Sequence, residues 1–238
     1  MRRVAGVADV VDRQTLRDIG LVCVADALVG VSFGAIAVSG GLHQWVPVAM
    51  SLLVFAGGAQ FAAVGVVLAG GSPAAAVLTG LVLNARHLPF GFAVADVLAG
   101  RWPAPLLGAH LMMDESVAFT LRQPDRERRR AAFWTCGIAL FACWNLAVLA
   151  GALAGRVIGS TDALGLDAAF PTVLLALVLP SLADRRTRNA ALLGAAVAVA
   201  GSPLLPAGLP VLLALVGLVL AGRSATSSPE PDPVGKAC

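Results

Sequence analysis

The amino-acid sequence predicts an all-α integral membrane protein, and two observations support this. Hydrophobic residues make up 58% of the 238 residues and charged residues only 13%, and the mean hydropathy of +0.84 is too high for a soluble globular domain. The apolar residues are also grouped in long runs that Gly, Pro and Arg interrupt. Runs of about 20 apolar residues are as long as a helix that crosses the hydrocarbon core of a bilayer.

Eight apolar runs follow one another along the chain. They lie approximately at 19–38, 45–69, 74–98, 105–121, 131–154, 168–183, 190–200 and 204–220. Glycine and proline turns separate the first runs, and the arginine-rich segment 122–130 precedes the fifth. We therefore expect about eight transmembrane helices. The last two runs are short for two crossings, so a re-entrant or tilted hairpin over 190–222 remains open, as does a total of seven crossings.

The runs divide the chain into three parts. Residues 1–18 form a polar N-terminal segment, residues 19–222 form a single transmembrane domain, and residues 223–238 form a Ser/Pro-rich tail that we expect to be disordered. With the N-terminus in the cytoplasm, all but three of the 17 Lys and Arg residues lie on the cytoplasmic side, as the positive-inside rule requires. The positive charge therefore indicates a multi-pass protein in contact with lipids and predicts no nucleic-acid partner.

The sequence contains no pattern that we interpret as a catalytic or metal-binding site. The four cysteines form no CxxC pair and have no histidine at ligand spacing, and the chain has no HExxH motif. We therefore expect neither an enzyme nor a bound cofactor or metal.

Charged residues near the middle of two predicted spans are the candidate functional groups. Arg86 lies near the midplane of the third span, and Asp114 and Glu115 lie near the midplane of the fourth. A charge at the centre of a membrane helix costs about 2.5–3.5 kcal/mol on insertion scales, so we expect Arg86 to pair with one of the two acids. The other acid is then a candidate proton carrier. A pair that only fixes the helix register is the alternative.

Two further titratable residues lie within the predicted spans. His87 is next to Arg86, and Asp26 lies in the cytoplasmic half of the first span. Histidine titrates near physiological pH, although a single histidine within a span is about as often a hydrogen-bonding contact between helices. We include both residues with Asp114 and Glu115 as candidates for proton coupling or ion pairing.

Two stretches predict interrupted helices. Pro89 has no N–H and clashes with the carbonyl of Ala85, so the helix is expected to kink or break across Arg86 and His87, which brings Asn84 to the same cavity. An ordinary proline kink is the alternative. Gly57-Gly58 followed by Gln60 combines a breakable helix with a buried amide, and a helix N-terminus exposed there favours a carboxylate. Gly57, Gly58, Gln60, Asn84 and Arg86 are the predicted substrate-binding residues.

Four motifs in a fixed order resemble the AzlC family, the large subunits of bacterial branched-chain amino acid transport systems. They are FAGGAQFA at 55–62, NARHLPFG at 84–91, MDES at 113–116 and LDAAFP at 166–171. The resemblance extends over about residues 15–222. It implies export of valine, leucine, isoleucine or methionine across the bacterial inner membrane, with a small AzlD-type membrane subunit as partner. Its site residues are Gln60, Asn84, Arg86, His87, Asp114 and Glu115.

The functional hypothesis is secondary transport by alternating access, with breaks at Gly57-Gly58 and near Pro89 presenting polar groups to an amino acid. Exchange of Arg86 between a substrate carboxylate and Asp114 or Glu115 would link binding to proton movement. A membrane component of an ATP-driven system and a membrane subunit that does not transport are the alternatives.

Overall fold

The computed structural model describes residues 11–100, 102–156, 175, 179–205 and 209–217. These residues form helices and connecting turns, and no strand occurs among them. The helices are α1 (Arg13–Ser39), α2 (Trp45–Leu53), α3 (Gly57–Leu68), α4 (Pro73–Asn84), α5 (His87–Ala93), α6 (Ala95–Leu98), α7 (Ala104–His110), α8 (Asp114–Leu121), α9 (Arg126–Gly155), a 3-10 helix (Leu179–Ala183), α10 (Arg185–Gly201) and α11 (Leu209–Leu213). The predicted all-α class is confirmed for the described residues.

Helices α1 and α9 are long and apolar enough to cross a membrane. Each begins earlier than its apolar run because an aspartate caps it. Asp12 accepts the backbone N–H of Thr15 at 2.8 Å, and Asp125 accepts that of Arg128 at 2.9 Å. The hydrogen bonds from the backbone N–H and hydroxyl of Thr15 lower the pKa of the Asp12 carboxyl and stabilise the start of α1.

Helices α1 and α9 pack through the motifs Gly30-x-x-x-Gly34 and Gly151-x-x-x-Gly155. A Cβ atom on Gly34 would overlap the carbonyl oxygen of Val148 and lie 2.6 Å from the amide nitrogen of Ala152. A Cβ atom on Gly151 would overlap the carbonyl oxygen of Val31. The backbones are therefore in direct contact, which only residues without a side chain permit. This pair is the scaffold against which α2, α3, α6 and α8 pack.

The segment Gly30–Gly34 also matches the G-x-S-x-G pattern of a nucleophile elbow, but its structure excludes that role. A nucleophile elbow is a strained turn between a strand and a helix, whereas these residues lie inside the continuous helix α1. The hydroxyl of Ser32 donates to the carbonyl of Leu28 at 3.0 Å, within the same helix.

The second, third and fourth apolar runs are each interrupted. Residues 54–56 separate α2 from α3, Ala85 and Arg86 separate α4 from α5, and residues 111–113 separate α7 from α8. The first two interruptions fall where the sequence predicts them, whereas the third was not predicted. Pro89 is in the first turn of α5, where a backbone N–H needs no intrahelical acceptor. The break therefore precedes the proline.

Arginines of the segment 122–130 hold the end of the third run against the start of α9. Arg126 donates to the carbonyl of Asp96 at 2.9 Å, and Arg129 donates to the carbonyl of Ala93 at 3.0 Å and to the Asp96 carboxylate at 3.1 Å. Carbonyls at the ends of short helices lack intrahelical partners, and these side chains supply them. The arginines thus have a structural role in addition to their expected effect on the orientation of the chain in the membrane.

Much of the outer surface is apolar, as expected for a protein in lipid. Large apolar side chains on several helices are exposed, among them Leu81, Phe92, Leu146 and Val199.

Near the other end of the chain, α10 packs closely on residues 214–217, where Gly217 would place a Cβ atom 2.8 Å from the amide nitrogen of Gly194. Most of the predicted sixth span, the motif at 166–171, the first ten residues and the C-terminal tail lie outside the described residues, so the predicted number of crossings remains a prediction.

Candidate functional site

The three helix interruptions meet at one small cavity. Its volume is about 180 Å³, and residues within or next to each interruption line its wall. The lining residues are Leu53, Val54, Phe55, Ala56, Asn84, His87, Ala109, His110 and Met112. Backbone groups freed by a break are tolerated at membrane depth only where protein or water satisfies them, so this junction is the polar centre of an otherwise apolar bundle.

An ion pair lies at the junction. Arg86 Nη1 is 2.7 Å from Asp114 Oδ2, and each of the two side chains is 43% exposed. Arg86 Nη2 lies 3.9 Å from the position that a Cβ atom on Gly58 would occupy. The guanidinium is therefore next to the first turns of both α3 and α8. Helix α3 begins at Gly57 without a side-chain cap, so N–H groups of its first turn are available to an anion.

A pair of acidic residues lies close to this ion pair. Asp26 of α1 and Glu115 of α8 are within electrostatic range of each other. Within the described residues, Asp26 Oδ2 and Glu115 Oε2 are buried and have no hydrogen-bond partner. Asn84 Oδ1 is a third buried oxygen of this kind. Buried polar atoms are nearly always satisfied in native proteins. The two carboxylate oxygens are therefore suited to bind a proton, and all three oxygens can accept a hydrogen bond from water or a polar ligand.

Gln60 is fully buried, and its amide is occupied by the chain itself. Nε2 donates to the carbonyls of Met50 at 3.0 Å and Val54 at 2.6 Å, and Oε1 accepts from Trp144 Nε1 at 3.0 Å. The amide thus holds two carbonyls at the end of α2 and connects the interruption to α9. The Trp144 ring also packs on Gly57, where a Cβ atom would lie 2.9 Å from it. In this conformation Gln60 supports the break.

We expect Trp144→Phe to weaken this support. The substitution keeps an aromatic ring but leaves Gln60 Oε1 buried without a donor, which costs about 1 kcal/mol in a membrane protein. Gln60→Leu removes the hydrogen bonds to both carbonyls and to Trp144, so a larger loss is expected. Thermal unfolding of the purified chain in detergent measures the effect. An unchanged unfolding temperature for Gln60→Leu would contradict the structural role.

The cavity contains two histidines. His87 Nδ1 is 3.0 Å from the carbonyl oxygen of Asn84, so Nδ1 donates and Nε2 is the acceptor nitrogen of the neutral ring. His110 packs near the rings of Phe55 and Phe141, with centroid distances of 6.4 Å and 5.5 Å. Sequence reasoning did not include His110 or Trp144 in the site. The sequence feature that could have indicated His110 is a polar side chain within an apolar run. In the structure, His110 is part of the cavity wall because it lies next to the third interruption.

A larger apolar groove adjoins the cavity. Its volume is about 420 Å³, and helices α2, α3 and α4 line it with mainly aliphatic side chains. Val54 and Asn84 line both spaces. The polar cavity and the apolar groove are therefore neighbours that share two lining residues.

No group of three or more His, Cys, Asp or Glu side chains in the described part of the chain could hold a metal ion.

These features define a class of protein: a helical membrane protein whose interrupted helices bring charged residues together within the bundle, an arrangement also found in transporters. The chain belongs to the AzlC family, whose model, described as AzlC protein, matches residues 22–158. This range includes the ion pair, the acidic pair and both histidines. The recognition of the family from the sequence motifs is therefore confirmed. The family is one of transport-related membrane proteins rather than of enzymes.

Named relatives cover most of the chain. An uncharacterized membrane protein of Helicobacter pylori is 28% identical over 197 residues, which are 82% of this chain and 86% of that protein. The branched-chain amino acid transport protein AzlC of Bacillus subtilis is 25% identical over 209 residues, 84% of this chain and 81% of that protein. The inner membrane protein YgaZ of Escherichia coli is 31% identical over 159 residues, 65% and 62% of the two chains. No solved structure matches this chain.

Proposed function

We propose that this protein is a secondary transporter subunit that exports valine, leucine, isoleucine or methionine across the bacterial inner membrane, coupled to protons. The observation that carries the proposal is the meeting of three interrupted helices at the Arg86–Asp114 pair, beside a cavity of about 180 Å³. The name of the Bacillus subtilis relative supports branched-chain amino acids as substrates. Intramembrane charges at broken helices are typical of substrate and ion pathways.

The site offers partners for both charges of an amino acid. The substrate carboxylate binds Arg86 and the N–H groups at the start of α3, where a guanidinium and a helix N-terminus both favour an anion. The ammonium group donates hydrogen bonds to Asp114, which is released from Arg86, and to the unpartnered Asn84 Oδ1. The aliphatic side chain enters the apolar groove next to Val54. Gly57 and Gly58 leave room for the carboxylate, and Gln60 holds the break open.

The acidic pair is the proposed proton carrier. Two neighbouring buried carboxylates repel each other, and one shared proton removes the repulsion. Asp26 and Glu115 are in this situation, and Glu115 also interacts with Arg86. When a substrate carboxylate draws Arg86 away, the negative charge near Glu115 is less compensated and proton uptake becomes more favourable. His87, with its acceptor Nε2 in the same cavity, is the second proposed proton-binding group.

A reconstituted efflux assay tests this function. Proteoliposomes loaded with each of the four amino acids are given an imposed pH gradient, and we expect efflux of at least one to follow the gradient. In Glu115→Gln, exchange of labelled for unlabelled substrate continues but the response to the gradient is lost. Glu127→Gln, the same change on the exposed first turn of α9, is the control and behaves as the unchanged protein.

The alternatives give different results in the same assay. Efflux that requires ATP and its ATPase indicates a component of an ATP-driven system, and no transport with or without ATP indicates a structural subunit. A small AzlD-type membrane subunit is part of the proposal, so the assay is run with and without the product of an adjacent gene for a small hydrophobic protein. Unchanged efflux in both Arg86→Gln and Glu115→Gln would exclude the proposed scheme.

A further inference from the structure

A second polar cavity lies at the end of the bundle where α1 and α9 begin. Its volume is about 400 Å³, and its wall combines the first turns of α1, the end of α8 and the start of α9. The lining residues are Asp12, Gln14, Thr15, Asp18, Phe119, Arg122, Gln123, Pro124 and Arg128. In contrast to the apolar groove between α2 and α4, most of these side chains are polar or charged.

Two of the four charged side chains in this wall are already engaged. Both carboxylate oxygens of Asp12 accept hydrogen bonds from Thr15, each at 2.8 Å, and Arg128 is 3.5 Å from the Asp125 carboxylate. No hydrogen bond or ion pair joins the side chains of Asp18 and Arg122 to each other or to another described residue. One carboxylate and one guanidinium therefore face the same cavity without a partner in this part of the chain.

The guanidinium of Arg122 lies next to an aromatic ring. Its guanidinium carbon lies 5.6 Å from the ring centroid of Phe119, a cation–π distance. Phe119 itself is buried in the main apolar cluster together with Ile19 and Cys23. The cavity thus presents an anionic group, a cationic group next to an aromatic ring and an apolar surface. This combination matches a zwitterion with an apolar side chain, whose ammonium binds Asp18 and whose carboxylate binds the guanidinium fork.

The cavity is aligned with the proposed transport site. Phe119 is one helical turn from Glu115 on α8, and Asp18 is about 12 Å from Asp26 along α1. Both helices therefore run from this cavity to the acidic pair. With the N-terminus in the cytoplasm, as the basic residues predict, the cavity opens on the side from which an exported amino acid arrives.

We infer that this cavity is a second, cytoplasmic binding site for a zwitterionic aliphatic amino acid, where substrate is held before it enters the site at Arg86. The inference rests on the proposed function for the identity of the ligand. It assigns Asp18 to the ammonium group, Arg122 to the carboxylate and Phe119 to the apolar contact.

Equilibrium binding of radiolabelled L-leucine to the full chain in nanodiscs tests the inference. We expect two sites per chain, one of which remains when Arg86→Gln and Asp114→Asn are combined to remove the central ion pair. In that background, Asp18→Asn or Arg122→Gln weakens the remaining site by about tenfold or more. Exchange of the two charges, Asp18→Arg with Arg122→Asp, restores binding because both ends of the ligand again meet an opposite charge.

Ligand analogues and a control separate the outcomes. N-acetyl-leucine, which lacks the ammonium group, and leucinamide, which lacks the carboxylate, do not compete at this site, and Glu127→Gln changes nothing. One site in the unchanged protein that disappears with the central pair overturns the inference and leaves the proposed function standing. Two sites that persist in Asp18→Asn and Arg122→Gln also overturn it. No binding of leucine, valine, isoleucine or methionine by the unchanged protein overturns the proposed function and this inference together.

Discussion

Arg86→Gln is expected to lower amino-acid efflux at least about a hundredfold. The substitution removes the proposed partner of the substrate carboxylate, and the loss of a charge-assisted, bidentate hydrogen-bonded interaction worth about 3 kcal/mol corresponds to a factor of more than 100. It also leaves Asp114 without its partner at 2.7 Å. Initial rates of efflux from proteoliposomes measure the effect. Arg86→Lys keeps the charge but not the planar fork, so its efflux rate is expected to lie between those of the unchanged protein and Arg86→Gln.

A double variant separates the functional role of this pair from a structural one. Combining Arg86→Gln with Asp114→Asn removes both charges and leaves no unpaired ion in the bundle, so the chain is expected to recover the stability that Arg86→Gln loses. Transport is not expected to return, because the site then has no charge for either end of the substrate. A double variant that transports at the normal rate would show that the pair only fixes the helix register.

Gly34→Ala is expected to have the largest effect on stability. The added methyl group would overlap the carbonyl oxygen of Val148 and lie 2.6 Å from the backbone of Ala152, and neither backbone atom can move aside as a flexible side chain would. Overpacking of this kind costs about 1–3 kcal/mol or more, and here it separates the two helices against which α2, α3, α6 and α8 pack. The fraction of monodisperse protein after heating in detergent measures the loss.

Gly20→Ala is the matched control on the same helix. A Cβ atom at Gly20 meets nothing within 4 Å, so only the helix propensity changes, which favours Ala by about 0.5–1 kcal/mol. We therefore expect Gly20→Ala to be neutral or slightly stabilising. Equal heat stability of Gly34→Ala and Gly20→Ala would show that the close approach of α1 and α9 is not essential to the fold.

The interrupted helices show how far local sequence patterns predict this fold. Pro89 and Gly57-Gly58 mark two breaks because a missing N–H and a missing Cβ are properties of the residues themselves. The break at residues 111–113 has no such residue, and it arises where the Leu111 carbonyl lies 3.1 Å from the position of a Cβ atom on Gly137 of α9. Sequence reasoning therefore placed Asp114 and Glu115 within a continuous helix, whereas they lie in the first turn of α8.

The sequence also could not determine which groups the polar residues contact. Spacing along the chain restricted Arg86 to Asp114 or Glu115, and the structure selects Asp114. The sequence did not predict that the Gln60 amide oxygen accepts a hydrogen bond from Trp144, which is far away in sequence, and the predicted role of Gln60 in substrate binding stays a prediction. The assignment of individual site residues to substrate or proton remains a proposal that the variants above test.

The sequence by itself determined that this chain enters a membrane as helices, where two of those helices break and which polar residues lie within the apolar runs. Each of these properties depends on composition or on residues a few positions apart. Only the tertiary structure decided that three breaks meet at one cavity, that Asp26 and Glu115 are close enough to interact electrostatically and that Asp18 and Arg122 line a common space. These arrangements depend on how α1 and α9 pack, and contacts between distant segments leave no periodic signal in a single sequence.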